Sequence, residues 1–117
     1  MLKAVCFFVD ERGDKPVEEF ILKLPPKERA KIVAYLNELK TQGHNLRRPM
    51  ADYLGEGIYE LRPQDNRVFY FFYLRENAVL LHALRKKMDK IPQNDMNLCI
   101  KRKREVEEYG NIEKLDL

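Results

Sequence analysis

The sequence predicts a small α+β fold: a mostly antiparallel sheet, mixed through an N-terminal strand, packed by an N-terminal helical hairpin and a C-terminal helix in the order β-α-α-β-β-β-α. Three observations predict it. A β-branched and aromatic run opens the chain, helical spacing of apolar residues follows as far as Gln42, and from Ile58 to Arg85 the hydrophobic period shortens to that of strands.

Residues 2–9 end at the polar turn Asp10-Glu11-Arg12-Gly13-Asp14 and read as a buried first strand and its loop. Asp14 is a suitable N-cap with Pro16 in the first turn. Val17, Phe20, Ile21 and Leu24 then recur at helical spacing until Pro25-Pro26 ends the helix. A second helix fits from Pro26 to about Gln42, with Ile32, Val33, Leu36 and Leu39 as its stripe and Gly43 as its stop. Three strands follow, over 58–62, 67–74 and 78–85, separated by Pro63-Gln64-Asp65-Asn66 and Arg75-Glu76-Asn77. The run Val68 to Leu74 is apolar on both faces, as a central strand covered on both sides must be. The helical hairpin covers one face. A helix from Pro92, with Met96, Cys99 and Ile100 inward, covers part of the other.

A chain of 117 residues supports one core, so residues 1–117 are expected to form a single domain, the last ~8 of them a tail. With 44% hydrophobic and 35% charged residues and a net charge of +3, the chain is too apolar for a disordered tail and too charged for a membrane protein. Cys6 and Cys99 fit neither a zinc or redox spacing nor a disulfide framework, which points to a reducing cytoplasm. The apolar run at residues 4–9 is too short for a signal peptide, and no stretch approaches a membrane span. No metal and no cofactor are expected. The histidines and cysteines are scattered, and Gly55-Glu56-Gly57 lacks the third glycine and the following helix of a phosphate loop, reading instead as a turn before a strand.

The chemistry-bearing feature is charge brought together by strand pairing. If Arg62 pairs with Arg67, and Leu74 with Ala78, then Arg67 lies opposite Arg85 and three arginines cross one end of the sheet. Glu60 shares that face, and Lys86, Lys87 and Lys90 leave the sheet there. Opposed like charges cost about 0.2–1 kcal/mol per pair unless an anion neutralises them, and RNA phosphate is the natural candidate. Lys101-Arg102-Lys103-Arg104 on the last helix adds positive charge. The plainer reading makes these ordinary solvated charges, some paired with Glu60, Asp65 or Asp89. His82 is expected opposite Tyr70 as a hydrogen-bonded core histidine and His44 in an exposed loop, while the aromatic run Phe69 to Tyr73 reads as core.

These residues also carry a resemblance. The blocks Gly57-Ile58-Tyr59-Glu60-Leu61-Arg62, Arg67-Val68-Phe69-Tyr70-Phe71-Phe72, Leu80-Leu81-His82-Ala83-Leu84-Arg85-Lys86-Lys87 and Lys90-Ile91-Pro92 resemble the RelE/ParE toxin superfamily. Within it they look most like the HigB-like branch, also described as phage-derived Gp49-like proteins, over nearly the whole domain to about Arg104.

The resemblance implies a type II toxin that cuts mRNA, usually in the ribosomal A site, and is silenced by a helix-turn-helix antitoxin of the HigA kind in a hetero-oligomer. It places RNA-binding and activating groups at Arg62, Arg67, Lys86 and Lys87, the face reached above from pairing. The family often has Gly-Phe where Ala83-Leu84 stand and threonines at Met88 and Ile91, so the last helix is expected to start without a side-chain cap. The catalytic tyrosine of some relatives has no counterpart, since Pro92 falls near its place.

In-line attack of a ribose 2′-OH on phosphate needs proton transfer, charge stabilisation and orientation. Arg67 is assigned to the developing charge, Arg62 and Lys86 to phosphate binding, and Arg85, Lys87, Lys90, Lys101 and Arg102 to the RNA chain. Glu60 is either the base or a salt-bridge partner of Arg62. The competing function is that of the ParE branch, a gyrase poison that does not cut RNA.

Overall fold

The computed structural model describes residues 1–115. Strand β1 (Ala4–Phe8) leads to helices α1 (Pro16–Leu22) and α2 (Pro26–Gln42), then to strands β2 (Ala51–Gly55), β3 (Ile58–Leu61), β4 (Asn66–Tyr73) and β5 (Asn77–Arg85). Helix α3 (Gln93–Tyr109) and a short strand β6 (Ile112–Lys114) complete the chain. The six strands form one sheet in the order β2-β3-β4-β5-β1-β6, with β1 parallel to β5 and every other pair antiparallel. This is the expected α+β class, with a strand added at each edge.

Alternation along the strands sorts the core into two layers. Leu61, Val68, Tyr70 and Leu80 meet Val17 and Ile21 of α1 and Ile32, Leu36 and Leu39 of α2. Ile58, Phe69, Phe71, Val79 and Leu81 meet Cys99 and Val106 of α3. The β4 run is apolar on both faces because helices lie on both.

Local chemistry departs from expectation in places. Asp14 is not the cap of α1. Instead Asp10 folds the loop, its Oδ1 accepting the backbone N–H groups of Arg12 and Asp14, and the helix begins at Pro16 without a side-chain cap. Val33 is 40% exposed, leaving Ile32, Leu36 and Leu39 as the buried stripe of α2. Gly43 ends α2 as expected, at φ +53°. Strand β2 was not anticipated: Gly55-Glu56-Gly57 is the turn of a β2–β3 hairpin, not only a turn before one strand. The expected tail is partly a strand, since β6 pairs with β1 from Cys6↔Lys114 to Phe8↔Ile112; residues 116–117 lie outside the described residues.

Register decides which charges meet. Leu61 pairs with Val68, so Arg62 and Arg67 do stand across from each other where the β3–β4 hairpin opens. The β4–β5 hairpin closes at Tyr73↔Asn77, with Leu74 and Arg75 in left-handed conformations at its turn, and a bulge between Phe69 and Tyr70 leaves Leu81 unpaired. Arg67 therefore opposes Leu84, and Arg85 opposes Asn66. The one-residue difference turns Arg85 to the other face of the sheet.

Candidate functional site

The site grows from the start of β4. Arg67 is only 5% exposed. Its Nη1 donates to the carbonyls of Gln64 at 2.6 Å and Asn66 at 2.8 Å. Gln64 adopts φ +58° in the preceding turn, which folds its carbonyl back onto the guanidinium. Arg67 Nε lies 3.7 Å from Oε1 of Glu60, a β3 residue that is 6% exposed. The other oxygen, Oε2, lies 3.6 Å from Arg62 Nη1. Glu60 Oε1 is buried and accepts no hydrogen bond, so this carboxylate meets two cations at ion-pair distance with that oxygen unsatisfied.

The charges continue into β2. Asp52 pairs with Glu60 across the hairpin and shares its face; its Oδ2 is 4.0 Å from Arg62 Nη1 and 2.7 Å from Arg48 Nη2. The result is an alternating row, Arg48, Asp52, Arg62, Glu60, Arg67. It holds two carboxylates where the sequence suggested one. Burial pushes the Glu60 carboxyl above the usual range, against the pull of Arg62 and Arg67. Burial likewise lowers Arg67, which stays cationic, while the Arg48 hydrogen bond holds Asp52 below the usual range.

The remaining candidate residues divide. Arg85, expected beside Arg67, ion-pairs instead with Glu28 of α2, which also accepts from Asn66 Nδ2 at 3.0 Å. Lys86 donates its backbone N–H to Asp65 O at 2.6 Å, tying the loop after β5 to the turn before Arg67. Its Nζ lies 3.7 Å from Asp89. Lys86, Lys87 and Lys90 line a cleft of about 250 Å³ with Arg85, Leu84, Met88, Ile91, Pro92 and Asp95, and Leu84 is the residue facing Arg67. The three lysines thus adjoin the row. Arg102 does not: its Nη1 donates to Leu81 O at 2.8 Å and its guanidinium sits 5.0 Å over the Phe8 ring, at the β5–β1 junction. Lys101 is exposed on α3 beside Asn97, Arg104, Glu105 and Glu108.

His82 is half-buried and hydrogen-bonded, but it faces Phe69, not Tyr70, and stacks on that ring at 5.7 Å. Its Nε2 is 2.7 Å from Asp95 Oδ1 in the first turn of α3. The helix starts without a side-chain cap, as expected, with Pro92 O accepting the N–H groups of Asp95 and Met96. His44 is exposed, stacked on Phe72 at 3.8 Å, with Nε2 2.6 Å from Arg75 O. Cys6 and Cys99 are free and buried, and burial pushes the Cys99 thiol up to about 12. Among the described residues no three His, Cys, Asp or Glu side chains group to hold a metal, and no helix is long and apolar enough to cross a membrane.

Sequence reasoning missed Arg48 and Asp52. The signal was present: a Gly-x-Gly turn flanked by strand-like residues on both sides sets Asp52 opposite Glu60.

No curated protein matches the chain. The model of the family described as phage-derived protein Gp49-like (DUF891) matches residues 19–104. That span is well over half of the sequence and contains the whole row from Arg48 to Arg67 together with the lysine loop, so the chain belongs to the Gp49-like family, which is associated with toxin–antitoxin systems.

Proposed function

We propose that the protein is the toxin of a type II toxin–antitoxin pair and that it cleaves mRNA in the ribosomal A site. In this reading a helix-turn-helix antitoxin of the HigA kind neutralises it in a hetero-oligomer, and it acts in the cytoplasm without a cofactor. The observation that carries the reading is Glu60: a buried carboxyl with a raised pKa and a free oxygen, set between two arginines.

Those features suit metal-independent transesterification. The Glu60 carboxylate takes the proton of the 2′-OH through Oε2, on the side of the more exposed Arg62, and the 2′-oxygen forms a bond to the adjacent phosphorus as the P–O5′ bond breaks. The 5′-oxygen leaves with a proton from water, and a 2′,3′-cyclic phosphate remains. A base with a pKa above that of a free carboxylate accepts the proton more readily near neutral pH. Arg67 is held by two carbonyls before any substrate arrives, so it meets developing phosphorane charge without reorganising. Arg62, at 3.6 and 4.0 Å from its carboxylates, is loosely held and free to turn to a phosphate, and Lys86 stands on the loop bonded to the turn before Arg67.

The test is a cell-free translation reaction with mRNA 5′ ends mapped, with and without ribosomes, for wild type, Glu60→Gln and Arg62→Ala. Cuts that need ribosomes and fall by about 10²–10⁴ in Glu60→Gln are expected. An absence of cuts with translation unaffected would sink the reading and direct attention to gyrase.

A further inference from the structure

The cleft beside the row has a composition of its own. It is lined by the apolar Leu84, Met88, Ile91 and Pro92, by the cationic Arg85, Lys86, Lys87 and Lys90, and by the carboxylate of Asp95. At about 250 Å³ it falls just under the ~300–1,000 Å³ of sites that enclose a whole drug-sized ligand, a scale that suits one planar ring. Apolar walls sandwich such a ring, and ammonium groups at the rim meet phosphates attached to it. Lysines alone would take any anion. The carboxylate in their midst repels a phosphate and therefore points to a ligand that brings hydrogen-bond donors on an apolar body.

Asp95 is held for that task. Its Oδ1 accepts from His82 Nε2 at 2.7 Å, and His82 is fixed by stacking on Phe69. Each carboxylate oxygen has two lone pairs, so Oδ1 retains one and Oδ2 both. Two adjacent acceptors match two adjacent donors. Guanine presents N1–H and its exocyclic amine side by side, adenine sets its amine beside an acceptor nitrogen, and uracil flanks its single N–H with carbonyls that a carboxylate repels.

We infer that the cleft formed by Leu84, Ile91, Pro92 and Asp95 is a nucleobase subsite selective for guanine, with Asp95 reading the Watson–Crick edge and His82 positioning Asp95. Because Leu84 is the cross-strand neighbour of Arg67, the base read here belongs to a nucleotide next to the phosphate on which Arg67 acts. The inference rests on the RNA-cleaving reading for its place in the reaction, but the binding is measurable without cleavage.

The experiment titrates the full-length protein with GMP, AMP, CMP, UMP and inorganic phosphate and follows backbone amide shifts by NMR. GMP is expected to move the amides of Leu84, Ile91 and Asp95 and to bind about tenfold more tightly than UMP, and Asp95→Asn to abolish that preference. In parallel, cut sites are sequenced in a randomised RNA on ribosomes: wild type selects G at one position beside the cut, and Asp95→Asn spreads the choice over all bases. Equal shifts for all four nucleotides, shifts that inorganic phosphate alone reproduces, or no shift at these amides would each overturn the subsite. Guanine-selective shifts without any cleavage would uphold the subsite and remove the nuclease.

Discussion

Glu60 shows how one side chain can hold a liability and a use together. Its carboxyl is raised above the ordinary 4.5 because burial outweighs two arginines. The folded protein then keeps this proton over a range in which the unfolded chain has lost it, so stability falls as pH rises from about 4.5 through the folded-state value. Asp52 works in the opposite sense, its lowered pKa stabilising the fold above the ordinary carboxylate value and losing that effect in acid. Comparing denaturation midpoints of wild type and Glu60→Gln from pH 4 to 8 isolates the first effect. The wild type is expected to lose ground steadily against the variant, and parallel curves would remove the buried-acid account. Arg67 is less replaceable. Its truncation leaves Glu60 charged and less compensated in a buried place, a change that costs about 3–5 kcal/mol when a buried pair is broken. Glu60→Gln and Arg62→Ala are therefore the cleaner probes of chemistry.

At the scale of the element, what was legible had a period. The helices over Pro16–Leu22 and Pro26–Gln42, the strands β3 to β5 and helix α3 all follow from spacing and from proline and glycine stops. Strands β2 and β6, of five and three residues, were not. In β2 the side chains are half-buried or exposed apart from Ala51, so little alternation shows; in β6 the pattern is too short to carry any. Register was legible at Arg62 and Arg67 and failed at the next turn, where Tyr73 and not Leu74 closes the hairpin; the bulge at Leu81 takes back only one of the two residues of that offset, and Arg67 meets Leu84. That offset placed Arg85 opposite Arg67 and hid its contact with Glu28. Turn elements offer a sharp test. Gly43 has φ +53°, and an added Cβ would meet Leu2 Cδ2 at 3.1 Å. Gly43→Ala is expected to cost about 1–3 kcal/mol from combined backbone strain and overpacking, read as a lowered denaturant midpoint with an unchanged slope.

Across the whole molecule, the charged row and the lysines gather at one end of the sheet. The row from Arg48 to Arg67 and the lysine loop lie where β3 and β5 run out, past the start of α3, so the surface proposed to meet phosphate is open while both apolar layers are covered. A modest net charge of +3 conceals this, since Glu28, Asp52 and Glu60 offset arginines that the strand count alone would leave bare. The far edge of the sheet depends on β6. Leu115 N–H donates to Val5 O at 2.8 Å and Val9 N–H to Asn111 O at 2.9 Å, so the C-terminal segment satisfies backbone groups that β1 would otherwise present. Ending the chain at Tyr109 is expected to lower unfolding free energy by on the order of 2 kcal/mol and to promote association, visible by denaturation and size-exclusion chromatography. Unchanged behaviour in both would show that the edge is protected by other means.

The place of β1 has a further meaning in time. It is the first strand to be synthesised, yet its neighbours are β5, whose paired residues begin at Asn77, and β6, which ends at Lys114. At about 5–20 residues per second, β1 waits several seconds before either partner exists. The sheet therefore closes around β1 only after β5 and then β6 have been made, so its last pairings join parts of the sequence that lie about 70 and 100 residues apart and their loop-closure cost falls late in folding.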